Sequence, residues 1–86
     1  MKFKEDRPFA TPEAAERKLL ELANAIMADH AGRLSVAVIN KQFMASGGST
    51  DEYARAVKAV IARGLMTLHP SGGYLSFTQA GSDLFA

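Results

Sequence analysis

The chain has 86 residues, no cysteine, two histidines and a formal net charge of +1. A length of this order makes one small domain with a thin stability margin, which pairing with a second copy would widen. The lack of cysteine excludes a disulfide framework, thiolate metal sites and redox motifs, and the low net charge means that any nucleic-acid affinity must come from local arrangement.

No stretch reaches the ~20 apolar residues that a membrane span requires, and the start, MKFKEDRPFA, lacks an apolar run of signal-peptide length. A soluble, cytoplasmic protein is expected. Residues 1–10 set Lys2, Lys4 and Arg7 against Glu5 and Asp6, with Phe3 and Phe9 as the large apolar anchors, and read as a flexible N-terminal arm. Residues 11–86 read as a single domain, with no internal repeat, low-complexity segment or long linker.

Thr11-Pro12-Glu13 starts a first helix: threonine can cap, proline is tolerated at the first helical position, and glutamate favours the positive end of the dipole. Ala15, Leu19, Leu22, Ala23, Ile26 and Met27 recur at threes and fours, with Glu13, Glu16, Arg17, Lys18 and Glu21 mostly on the other side. Gly32 is expected to close this helix, with His30 in its last turn. Leu34 could then add a rung to a later hairpin, and Ser35 caps a second helix of about ten residues with Val36, Ile39, Phe43 and Met44 on its apolar face. Ser46-Gly47-Gly48 breaks it.

Ser49 followed by Glu52 is a capping-box signature, so a third helix starts at Ser49 or one residue later. Tyr53, Ala56, Val57, Val60 and Ile61 form its apolar stripe, and Gly64 is placed to end it in the left-handed conformation. Leu65, Thr67, Tyr74 and Phe77 favour extended chain on either side of the turn Pro70-Ser71-Gly72-Gly73, which predicts a β-hairpin. Thr78 caps a last short helical segment through Phe85, with Gly81 an unfavourable residue inside it. The expected class is α+β, mainly α.

This order of elements resembles the winged helix-turn-helix domain. The segment AVIARGLMTLHPSGGYLSFTQAGSDLF is similar to the part of bacterial MarR-type and PadR-type regulators where the third helix ends in a glycine-leucine exit and a wing leads into a closing pattern. The corresponding residues here are Gly64-Leu65, Tyr74, Phe77-Thr78, Gly81 and Leu84, and Leu34-Ser35-Val36-Ala37-Val38-Ile39 resembles the strand and capped start of the family's second helix. The resemblance implies a three-helix core with a small wing, and a small bacterial transcriptional regulator that binds duplex DNA with its third helix, about residues 50–63, in the major groove.

On that helix, placing Tyr53, Val57 and Val60 inward leaves Asp51, Arg55, Lys58, Ala59 and Ala62 outward, with Glu52 and Arg63 on the flank. Arg55 could contact a guanine edge or a phosphate and Lys58 a phosphate, while the alanines permit close approach. The candidate DNA-contacting set is Lys41, Ser49, Thr50, Arg55, Lys58, Gly72 and Gly73. Asp51 and Glu52 oppose it. The competing reading of Asp51 and Arg55 is an exposed pair at i, i+4, worth only ~0.3–0.5 kcal/mol. Charge bookkeeping favours DNA slightly: residues 32–64 hold Arg33, Lys41, Arg55, Lys58 and Arg63 against Asp51 and Glu52, whereas residues 11–31 hold Arg17 and Lys18 against Glu13, Glu16, Glu21 and Asp29. The wing has no arginine or lysine, with His69 its sole ionisable residue. The amides of Gly72 and Gly73 could approach a phosphate or simply allow the turn.

Two distant histidines offer no His-Glu-x-x-His spacing, there is no nucleophile elbow, and Ser46-Gly47-Gly48-Ser49-Thr50 lacks the lysine of a phosphate loop. No catalytic residue, metal site, cofactor or small-molecule ligand is expected. The alternative function is a protein-interaction or dimerisation module, for which Phe3, Phe9, Leu20, Leu84 and Phe85 could form an apolar patch across the termini or else complete the core.

Overall fold

A computed structural model of the chain describes residues 8–26, 28 and 32–85. Phe3, Met27 and His30, with the charged residues of positions 1–7, lie outside the described residues. Within them the chain folds as α+β: α1 (Pro12–Ala25), β1 (Leu34–Ser35), α2 (Val36–Ala45), α3 (Thr50–Ala62), β2 (Met66–Leu68), β3 (Tyr74–Phe77) and α4 (Gln79–Asp83). No helix among the described residues is long and apolar enough to cross a membrane.

Each helix starts where a hydroxyl can take a free amide. Thr11 accepts from the Ala14 N–H, Ser35 from Val38, Ser49 from Glu52 and Thr78 from Gly81. At α3 the box closes both ways, because the Ser49 N–H also donates to Glu52 Oε1 at 2.9 Å. The exit of α3 is a Schellman arrangement around Gly64 at φ +74°, in which Gly64 N–H donates to Ile61 O and Leu65 N–H to Val60 O.

The end of α1 departs from expectation. Gly32 does not close the helix, which stops at Ala25 with Ile26 extended (φ −79°, ψ 133°). Ile26 is β-branched and lies half-buried against the core, so leaving the helix there keeps its side chain packed. The buried arc of α1 is also wider than a single stripe: Leu20 and Glu16 are buried along with Ala15, Leu19, Leu22 and Ala23. The reason is that α1 packs against both α2 and α3.

The three strands form one antiparallel sheet in the order β1-β3-β2, with Leu34 opposite Leu75, and Met66 and Leu68 opposite Phe77 and Leu75. Leu34, Met66 and Leu75 close the core below the helices, which contribute Leu19, Ile39, Phe43, Tyr53, Ala56 and Val60. Phe43 is wholly buried, its ring centroid 5.0 Å from that of Phe9 and 5.5 Å from that of Tyr53. Gly48 folds over the same ring, where an added Cβ would lie 2.1 Å from a ring carbon. Val36 ties two elements together: its N–H donates to Gly73 O in the hairpin, and its carbonyl accepts from the Tyr53 hydroxyl at 3.0 Å.

Gly81 is favoured by close approach. It is buried in α4, and a Cβ there would meet the Leu65 carbonyl oxygen at 2.0 Å. That oxygen accepts the Thr78 N–H, while the Thr78 hydroxyl bonds to Gly64 O, so the last helix is locked to the exit of α3. Although alanine is normally the better helix former by about 1 kcal/mol, Gly81→Ala is expected to destabilise by about 1–3 kcal/mol through overpacking. Chemical denaturation at neutral pH checks the sign.

Tyr53, 7% exposed, has its hydroxyl pushed by burial from 10.0 up to about 12. Below pH 10 the hydroxyl is neutral in both folded and unfolded chains; between about pH 10 and 12 the unfolded chain releases this proton first, so stability falls as pH rises through that window. Tyr53→Phe should cost about 0.5–1.5 kcal/mol at pH 7 and flatten the fall above pH 10, as read from melting temperatures across the alkaline range.

Candidate nucleic-acid interface

The outer side of α3 consists of Thr50, Asp51, Ala54, Arg55, Lys58 and Ala62, all exposed, with Ala59 half-buried. Arg55 and Lys58 have no ion-pair partner among the described residues, and no pair joins Asp51 to Arg55. Arg55 borders a small cleft of about 70 Å³ formed with Phe9, Thr11, Pro12 and Glu52. Lys41 is exposed on α2, while Ser49 is half-buried, its hydroxyl and amide both engaged in the cap.

Glu52 is 4% exposed, because its carboxylate turns back to the Ser49 amide. It therefore points into the cap and does not project from the outer face. Arg63 leaves that face as well, since Nη1 donates to Glu16 Oε1 at 2.5 Å, with Glu16 nearly enclosed and Arg63 largely exposed. What remains outward on α3 is one acid, Asp51, against Arg55 and Lys58.

The hairpin tip is internally satisfied. His69 N–H donates to Tyr74 O and Gly72 N–H to His69 O, while Ser71 N–H donates to His69 Nδ1 and Gly73 N–H to Ser71 Oγ. The Gly72 and Gly73 amides thus have partners within the loop, and of their two anticipated roles the turn is the one with a visible basis; Gly72 adopts φ +80°. A cation reaches the hairpin from elsewhere in the chain: the Arg33 guanidinium lies 4.8 Å from the Tyr74 ring centroid, and His69 meets the same ring edge-on at 5.9 Å. Sequence inspection missed this because Arg33 and Tyr74 are brought together only by the pairing of β1 with β3.

The termini behave differently from one another. Phe9 packs on Phe43 and Leu20 is buried, so both belong to the core of this copy. Leu84 is 57% and Phe85 39% exposed, with Phe85 meeting Phe77 edge-on. Both line a cleft of about 470 Å³ between α1 and the exit of α3, together with Glu13, Arg17, Glu21 and the Glu16–Arg63 pair. Among the described residues no group of three His, Asp or Glu side chains is placed to hold a metal.

Comparison with protein-family models, with curated proteins and with solved structures gives no match for this chain.

Arg63→Ala strands the Glu16 carboxylate in a nearly enclosed site, whereas Glu16→Gln in the same background relieves it. The expected coupling in a double-mutant cycle is on the order of 1 kcal/mol, between the values for exposed and buried pairs. Urea midpoints of the wild type, two single variants and the double variant measure it.

Proposed function

We propose that the chain is a DNA-binding protein of the winged-helix type, with α3 entering the major groove and the β2–β3 hairpin as the wing, acting as a small transcriptional regulator. The observation that carries this reading is the outer face of α3, where Arg55 and Lys58 stand exposed among Ala54, Ala59 and Ala62. Small residues let a helix sit close to base edges, a guanidinium matches the O6 and N7 of guanine, and an ammonium neutralises a phosphate. Glu52, the acid that would most weaken a negatively charged partner's approach to the first turn, is folded into the cap.

The succession helix, strand, helix, helix, hairpin, helix supports the same reading, as does the position of α3 directly after the tight turn at Ser46–Gly48. Lys41 on α2 adds a third exposed cation, and Arg33 on the Tyr74 ring supplies the hairpin with a charge that its own tip lacks. Phosphate contacts of this kind position a protein on the duplex, and base contacts then discriminate sequence.

Titration with duplex DNA at several salt concentrations tests the proposal. Affinity should fall steeply with salt, and Arg55→Ala with Lys58→Ala should weaken it at least tenfold and lower the salt slope by about 1 to 2 while leaving the melting temperature near that of the wild type. Amide shifts should move from Thr50 to Lys58. Undetectable or salt-insensitive binding would remove the reading.

A further inference from the structure

The cleft between α1 and the exit of α3 has an apolar side formed by Leu84 and Phe85, among the most exposed large apolar residues of the described chain, with the buried Leu20 at its floor. Along its α1 rim run Glu13, Arg17 and Glu21, all exposed and spaced by four residues, so they lie on one line of the helix with alternating sign. The Glu16–Arg63 pair beneath them is already neutral. Such a line gives no strong single-sign field to attract a polyanion or a polycation. Reversed and shifted by one turn, however, it meets a copy of itself with opposite signs, Arg17 against Glu21 and Glu21 against Arg17.

From this pattern we infer that the cleft is the seat of a second copy of the same chain, joined through a two-fold axis near Leu20 with the two α1 helices antiparallel. In that arrangement Arg17 of each copy faces Glu21 of the other, two crossed ion pairs flank an apolar centre, and the Leu84 and Phe85 side chains of both copies are covered. Glu13 stays at the rim in water. The arrangement is isologous, so every favourable contact occurs twice. It involves neither Arg55 nor Lys58 and stands independently of the DNA reading.

Charge swapping tests the pairing without relying on a single disruptive variant. The wild type should sediment as a dimer at high micromolar concentration, and Arg17→Glu alone and Glu21→Arg alone should each weaken association at least tenfold, because like charges then meet across the axis. An equimolar mixture of the two variants should dimerise again. In the mixed dimer the carboxylate introduced in one copy faces the guanidinium introduced in the other, and the remaining pair is the native Arg17 against the native Glu21. Leu84→Asp, at an exposed position outside the core, should also dissociate the dimer with no loss of helical signal. A monomeric wild type, a mixture of folded variants that stays monomeric, or a Leu84→Asp protein that remains dimeric would each overturn the inference.

Discussion

The burial of the Phe43 ring is the constraint on which the arrangement of the other parts depends. It fixes how α2 meets α3, because the ring lies under the turn at Gly48 and against Tyr53 on the following helix. A side chain at position 48 would occupy the space the ring fills. Phe9 covers another part of the ring and so holds the chain before α1 to the same point. Aromatic pairs of this kind are worth about 0.5–1.5 kcal/mol beyond their burial, a large amount for a core of this size. With α2 and α3 fixed against each other, the direction of α3 and its exposed side follow.

Those parts of the fold that depend on near neighbours were legible in the sequence. Ser35, Ser49 and Thr78 each cap a helix as their spacing indicates, and Thr11 with Pro12 opens α1, because a cap is decided within three or four residues. Features decided by distant contacts were not. Ile26 leaves α1 well before Gly32 because its side chain finds the core, and Glu16 is enclosed because Arg63, forty-seven positions away, reaches it. Gly81 looks like a weak point in a helix when read locally; with Leu65 O against it, the small residue is a requirement of packing.

The candidate interface divides in the same manner. The exposure of Arg55 and Lys58 follows from helical periodicity and was readable, whereas the net charge of the surface was not, since Glu52 and Arg63 are both drawn away from it. For Glu52 the signal was present in the capping box itself, which requires the carboxylate to turn back toward Ser49. For Arg33 no local signal existed: strand pairing alone sets it on Tyr74. Counting charges along a chain therefore overstates the acids near helix starts and overlooks cations delivered by a sheet.

Val36 holds a different kind of consequence. Because its N–H is taken by the hairpin and its carbonyl by Tyr53 on α3, these two elements are fastened to a single residue at the start of α2. Neither can reorient without breaking a bond to that residue. The relative placement of hairpin and helix is thus settled when the chain folds, and the entropy of fixing it is not lost again when a ligand arrives. For a partner that touches both, the remaining ordering cost falls on long side chains such as Arg55 and Lys58, at about 0.5–1.5 kcal/mol for each one immobilised.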